Sequence, residues 1–342
     1  MSFQRIQISK FGDPNVMKLV TESELPKPAA GQVRIRVIAA SAALTDTMIR
    51  RGRYPGIGKK QLPLTPGYDI AGVVDEVGEG VNEFAIGDMV ADMTITGGYS
   101  QYICVNSDRL TKVPSGITPT RATASVLTYV TAYQMLHRIA RVKRGQTVLI
   151  HAAGGAVGSA LIQLGKLHDL RMSATASHVK HDFVRSLGAE PIDYQSIDFR
   201  QGIRNLGLDG VDVVFDCTTP ENFNRSYDVL NQGGLLVFFG VQMSRSGILE
   251  KMNLPFSFMR LFLRDFMTRK RSKVLYSIET TRNQNPEWFK TDLKEIFDLL
   301  AQGSIDPIIH DTIALTDVQS AHRKIEAGSI KGKFVILMDD PA

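Results

Sequence analysis

In the first third of the chain, apolar positions come in short runs broken by glycine and proline, at residues 33–39, 70–77, 88–91 and 100–105. Short strands at this spacing predict a compact all-β or mixed, barrel-like domain reaching to about residue 120. From Gln146 the pattern changes, and two-residue and three-to-four-residue periodicities alternate. They predict strand 147–152, helix 156–167, strand 172–176, helix 179–187, strand 191–194, helix 197–206, strand 211–217, helix 222–231 and strand 235–241. Such alternation implies parallel βαβ units with right-handed crossovers, hence an α/β doubly wound sheet. The runs Val211-Asp212-Val213-Val214-Phe215 and Leu235-Leu236-Val237-Phe238-Phe239 read as interior strands covered on both faces. Gly233-Gly234 is expected to end the helix between them. Further on come a strand at 273–278, a helix from Pro286 with Asn285 as its cap, a helix at 317–326 and a last strand at 333–338.

The first strand of the alternating region runs into His151-Ala152-Ala153-Gly154-Gly155-Ala156-Val157-Gly158. A strand ending in small residues and passing directly into a helix exposes the free N–H groups of the helix start, which favour an anion such as a phosphate. Against the dinucleotide fingerprint G-x-G-x-x-G the first glycine is Ala153. Gly155 lets the backbone approach a pyrophosphate, and Gly158 allows close helix-to-strand packing. An acidic residue about twenty positions on would select the ribose hydroxyl of NAD. Here the second strand ends in Ala174-Thr175-Ala176-Ser177, followed by Lys180 and His181. With a hydroxyl and an ammonium in place of a carboxylate, the expected cofactor is NADP(H).

Composition narrows the class. At 342 residues two domains are expected. The start, MSFQRIQISKFG, has no apolar core of signal-peptide length, and no apolar run is long enough to span a bilayer. The reading is cytoplasmic. Only Cys104 and Cys217 are present, so neither a disulfide framework nor a cysteine zinc site can be built. The net charge of +5 is concentrated in residues 260–273, RLFLRDFMTRKRSK. Its interleaved apolar positions read as a helix with one solvated and one packed face rather than a nucleic-acid patch.

The chain resembles the medium-chain dehydrogenase/reductase superfamily over nearly its whole length. The resemblance is carried by TPGYDIAGVVDEVGEGV (65–81), FAIGDMV (84–90), GGYSQY (97–102), LTYVTAYQML (127–136), HAAGGAVG, the stretch from ATAS to LGAEPIDY, and GKFVIL (332–337). It implies a GroES-like, β-barrel-type catalytic domain at 1–122 and 306–342, a Rossmann NADP(H)-binding domain at 123–305, and a homodimer. Zinc alcohol dehydrogenases of the superfamily carry metal ligands where this chain has Ala43, Tyr68 and Leu127, and the four-cysteine loop of the structural zinc is missing. No zinc is therefore expected. What remains resembles the zinc-independent branch of quinone oxidoreductases, enoyl reductases and the synaptic-vesicle amine-transport-protein-like group.

For that branch the resemblance implies hydride transfer from NADPH to quinones or other α,β-unsaturated carbonyls, small electrophilic molecules. Arg50-Arg51-Gly52-Arg53-Tyr54-Pro55 is similar to the R-x-G-x-Y-P motif whose tyrosine donates a proton, which makes Tyr54 the catalytic candidate. The branch usually has asparagine followed by proline or phenylalanine where this chain has Ala43-Leu44. Thr131 matches a threonine at the nicotinamide end, Tyr194 a tyrosine at the 2′-phosphate, and Phe239, Gly240 and Val241 a backbone site for the carboxamide. The implied cofactor set is Thr131, Gly154, Gly155, Ala156, Val157, Gly158, Ser177, Lys180, Tyr194, Phe239, Gly240 and Val241. Two other functions stay open: a 2-enoyl thioester reductase, whose carrier-bound substrate would suit Arg50, Arg51 and Arg53, and an NADPH-binding protein with a structural or interaction role.

Overall fold

In the computed structural model, which describes residues 1–240 and 271–338, the middle of the chain forms one parallel six-stranded sheet. Its spatial order is Glu190–Asp193, Arg171–Ala176, Thr147–Ile150, Val211–Asp216, Leu230–Phe239 and Ser272–Tyr276. The order reverses between Thr147–Ile150 and Val211–Asp216, the switch point at which doubly wound sheets bind dinucleotides. Helices Ala156–Lys166, His181–Leu187, Phe199–Asn205 and Pro220–Asp228 are the crossovers. Val148, Leu149, Ile150, Val214 and Phe215 are all buried, as strands covered on both faces require. Phe199, Ile203, Phe223 and Tyr227 pack from the helices onto Leu149, Leu236 and Phe238 of the sheet.

One local expectation is corrected. Gly233-Gly234 does not end a helix, because the helix stops at Asp228 and the glycines lie inside Leu230–Phe239. The pairing with the neighbouring strand jumps from Val211 opposite Leu230 to Val213 opposite Leu235. The chain bulges between those pairs, and Gly233 supplies the φ of +79° that the bulge needs.

The chain divides into two units, Met1–Val130 with Glu287–Ala342, and Thr131–Pro286, the first division falling inside the helix Pro119–Tyr133. The first unit holds a seven-stranded sheet around Gln32–Ala42, which pairs antiparallel with Ile70–Val77, with Tyr102–Asn106 and with the returning tail strand Lys333–Leu337. Phe334 stands opposite Ala42, so the tail completes this unit's sheet. Val33, Ile35, Val37 and Ala39 are buried while the residues between them are less so, the alternation from which the strand is read. A separate hairpin, Phe3–Gln7 with Lys18–Glu22, and the helix Leu44–Arg50 had no clear sequence pattern.

Asn285, expected as the N-cap of the helix Pro286–Ala301, also closes a short preceding helix, Ile278–Gln284. Val241 and residues 260–270 of the basic stretch lie outside the described residues.

Candidate active site

The glycine turn sits at the carboxyl end of Thr147–Ile150, beside the switch point. Ala152 takes a φ of +54°, Ala153 N–H donates to Thr175 O at 3.0 Å, and Gly155 N–H closes the turn on Ala152 O at 3.0 Å. The helix Ala156–Lys166 then starts with no side-chain cap and no acidic residue in its first turn. The N–H groups of Ala156, Val157 and Gly158 at its start have no intrahelical partners, so they offer a dipole-reinforced seat for an anion, while Gly155 lets the backbone come close. A Cβ on Gly158 would lie 2.6 Å from Ala152 O and 2.7 Å from Ala153 Cα, both backbone, so the helix approaches the strand only because that side chain is missing.

Gly154 has a different reason to be glycine. A Cβ there would stand 2.6 Å from Lys180 Cδ, so the Lys180 stem lies across the turn. Lys180 thus comes to the glycine turn, and the half-buried Ser177 is tied to it, its carbonyl accepting from Lys180 N–H at 2.9 Å. His178 and His181 flank Lys180 with ring centroids 5.2 Å apart. Tyr194 is exposed just beyond the strand Glu190–Asp193, next to Asp193, which pairs with Ala176.

Asp193 was missed in the sequence because it belongs to the third strand and reaches the end of the second only through register. It accepts from Ser196 Oγ at 2.6 Å and Gln195 N–H at 3.0 Å, and these bonds, with the nearby His181 and His178, hold its carboxyl below the usual range.

Thr131 Oγ1 is buried with no hydrogen-bond partner among the described residues. The bond to its own preceding turn, which would make it an ordinary helix hydroxyl, is not made. An unsatisfied buried hydroxyl costs about 1–3 kcal/mol, so a ligand that bonds to it is favoured. Phe239 is buried at the end of its strand, and Gly240 follows with a φ of +52°.

Beneath the turn lies a polar chain that the sequence did not reveal. His151 is bonded to Thr175 Oγ1 and to Ser226 Oγ, each at 3.0 Å, and Ser226 Oγ donates to Asp216 at 2.6 Å. Burial pushes the His151 pKa down, so a neutral imidazole anchors the turn to the strand Arg171–Ala176 and to the helix Pro220–Asp228.

The first unit carries the other candidate residues. Tyr54 is half-buried on a turn between Gly52 (φ +64°) and Gly56 (φ +80°), and its hydroxyl lies 2.6 Å from that of the fully buried Tyr68. Their rings meet edge to face with centroids 5.7 Å apart. Asp69, the next residue, is buried and accepts from Lys333 Nζ at 2.7 Å, from Leu127 N–H at 3.2 Å and from Ser41 Oγ. Arg50 is fully buried and binds Glu326 and, at 2.9 Å, Gly12 O. Arg51 binds Glu326 at 2.6 Å. Two of the three arginines considered for a carrier-bound substrate are therefore held by the protein itself.

Asp46 sits within the same unit, accepting from Ala43 N–H at 2.9 Å and Gly67 N–H at 3.1 Å. Burial first, then the neighbouring Asp69, raises its pKa to about 7, against the lowering effect of the two backbone bonds and Lys333. Because the folded pKa exceeds the unfolded one, the native state binds the extra proton between about pH 4 and pH 7. The stability this contributes is complete below about pH 4 and falls as pH rises through 7, by at most roughly 1.4 kcal/mol per pH unit. Asp46→Asn is expected to flatten that slope. Urea midpoints for both proteins between pH 5 and 8 check it, and parallel curves would count against the assignment.

The arrangement has counterparts among known proteins. A family model described as alcohol dehydrogenase GroES-like domain matches residues 29–115, and one described as zinc-binding dehydrogenase matches residues 187–336. The mouse quinone oxidoreductase is 30% identical over 340 residues, covering 97% of each chain. The zebrafish synaptic vesicle membrane protein VAT-1 homolog is 28% identical, covering 98% of this chain and 70% of its own. The crystal structure of Escherichia coli quinone oxidoreductase complexed with NADPH superposes with a TM-score of 0.84 at 27% identity, over 98% of this chain and 99% of that one. The chain belongs to the medium-chain dehydrogenase/reductase superfamily, with the quinone oxidoreductases among its relatives. Its fold is a Rossmann sheet of six parallel strands with a GroES-like domain.

Ala43 and Leu127, which the resemblance sets at zinc-ligand positions, have no side-chain donor atom, and among the described residues no three His, Cys, Asp or Glu side chains are grouped to hold an ion. Among the described residues no helix is long and apolar enough to cross a membrane.

Proposed function

We propose that the protein is an NADPH-dependent, zinc-independent reductase that transfers hydride to quinones or other α,β-unsaturated carbonyls. The observation that carries this reading is the 2.6 Å contact between the Tyr54 and Tyr68 hydroxyls, a phenol pair in which Tyr68 is the residue that the resemblance matches to a zinc ligand. Conjugated acceptors need less activation than a ketone, so orientation plus one hydrogen bond to the developing enolate suffices. When bound, NADPH supplies the hydride. Gly155, Ala156, Val157 and Gly158 hold its pyrophosphate, while Ser177, Lys180 and Tyr194 hold the 2′-phosphate. Thr131, Phe239, Gly240 and Val241 orient the nicotinamide. Cofactor binding is assigned to residues 123–305 and substrate chemistry to 1–122 with 306–342.

Tyr54 donates its hydrogen bond, and then its proton, to the substrate. The engagement of Arg50 and Arg51 by Glu326 leaves only Arg53 of the three to a carrier-bound thioester, which weakens that reading and favours small quinones and enones.

A panel of quinones, enals, enones and enoyl thioesters, with NADPH consumption followed by absorbance, tests the reading. Turnover of quinones or enones at the expense of NADPH is expected. A protein that binds NADPH tightly but reduces nothing in the panel would instead belong with the interaction-type relatives.

Purified protein is also expected to contain no stoichiometric zinc and to keep its activity in chelator. Zinc at one equivalent, lost together with activity on chelation, would overturn that expectation.

A further inference from the structure

We propose that Tyr68 is a positioning residue for the proton donor: its buried phenol donates a hydrogen bond to Tyr54 Oη and stabilises the Tyr54 phenolate left when Tyr54 gives up its proton. The inference rests on the assignment of Tyr54 above for its catalytic consequence, but its hydrogen-bond claim is separately testable.

Tyr68 is fixed from both sides along the chain. Before it, Gly67 takes a φ of +113°, and a Cβ there would lie 2.3 Å from Tyr99 N, so the backbone passes where only glycine fits. Gly67 N–H donates to Asp46 at 3.1 Å, Thr94 Oγ1 donates to Gly67 O at 2.9 Å, and Tyr68 O accepts from Ile95 N–H at 3.1 Å. After it, Asp69 is tied to Lys333, Leu127 N–H and Ser41. Tyr54, by contrast, sits on a turn framed by two left-handed glycines. Tyr68 is therefore held through both of its neighbours in the chain.

Burial sets the direction of the bond during turnover. Of two phenols in contact, the one more open to water ionises first, because removing a phenolate from solvent is costly. Tyr68 is 0% exposed and Tyr54 is only half-buried. Charge therefore settles on Tyr54, and Tyr68 keeps its proton and donates. At 2.6 Å the oxygens are at the short end of O–H···O separations, as a charge-assisted bond requires.

In the reduction, the hydride that bound NADPH would supply, its own C–H bond breaking as it is oxidised to NADP⁺, would form the new C–H bond at the β-carbon while the carbon–carbon π pair shifts to give the enolate. The Tyr54 O–H bond breaks as its proton passes to the α-carbon of the enolate, and water later returns a proton to Tyr54.

The test reads Tyr54 directly. With Cζ-labelled tyrosine and the Tyr54 resonance assigned by its loss in Tyr54→Phe, the wild-type protein without cofactor is titrated by NMR. Tyr54 is expected to ionise below an ordinary tyrosine, and in Tyr68→Phe its titration is expected to move to higher pH by about one pH unit or more. Tyr54 ionising above an ordinary tyrosine in the wild type, a reading that needs no variant to fold, would overturn the proposal. So would an unmoved titration in Tyr68→Phe.

Kinetically, Tyr68→Phe should lower kcat on enones severalfold with KM and NADPH affinity little changed. The double variant should be no slower than Tyr54→Phe alone, because the two hydroxyls act as one device. Losses that multiply would refute the coupling. A Tyr54→Phe variant at full rate would sink the catalytic assignment of Tyr54 while leaving the NMR result to decide the hydrogen bond.

Discussion

Lys180→Ala is expected to weaken NADPH binding by about one to two orders of magnitude and to leave NADH binding nearly unchanged. The only chemical difference between the two cofactors is the 2′-phosphate. An ammonium on that phosphate makes a charge-assisted bond worth roughly 1.5–3 kcal/mol, and NADH has nothing for it to hold. The geometry adds a complication that the variant must face. The Lys180 stem lies across Gly154, so truncation to alanine also opens space over the glycine turn. Lys180→Met keeps the stem and removes only the charge. If the ammonium reads the phosphate, both variants lose NADPH affinity and neither loses NADH. If the stem supports the turn instead, Lys180→Ala weakens both cofactors and Lys180→Met weakens neither. Direct titration of each protein with each cofactor distinguishes these outcomes.

The parts of this site that lie close together in sequence were legible there. Gly155 and Gly158 announce a helix start pressed against a strand, and at Gly158 the structure gives the contact distances that make the missing Cβ necessary. The alternation after Gln146 predicts the parallel sheet because buried parallel strands must be apolar on both faces. What the sequence could not give were juxtapositions made by register and return. Asp193 stands beside the end of the second strand only because it pairs with Ala176. Lys333, near the end of the chain, pairs with Asp69, 264 positions away, because the tail strand joins the first unit's sheet.

Gly154 was read as part of a phosphate turn, and the structure adds a side chain from the next crossover lying over it. Tyr68 was noted only for what it replaces. Its contact with Tyr54 joins residues 14 positions apart, separated by a turn that no periodicity describes. The sequence offers Arg50, Arg51 and Arg53 alike to a carrier-bound substrate, since Glu326, the partner of Arg50 and Arg51, lies far along the chain and is invisible until the fold is closed.

Tyr54→Phe is expected to lower kcat by roughly tenfold or more on enones and enoyl thioesters, with KM changed much less. Phenylalanine keeps the ring and its edge-to-face contact with Tyr68, so only the hydroxyl is removed. As the β-carbon of the substrate gains hydride, charge moves onto the carbonyl oxygen, and the α-carbon must then take a proton. A phenol that ionises above neutral pH is protonated at pH 7 and can supply both the hydrogen bond and the proton. Interactions that strengthen only as this charge develops act on the transition state and not on the bound substrate, which is why the loss should fall on kcat. Quinones offer an internal control. Their reduction places the proton on oxygen, where water can deliver it, so Tyr54→Phe should slow quinones less than enones. Wild-type rates on every acceptor would remove Tyr54 from the chemistry and leave orientation of the cofactor as the source of catalysis. An equal loss on quinones and enones would instead assign the hydroxyl to binding the carbonyl oxygen and not to protonating carbon.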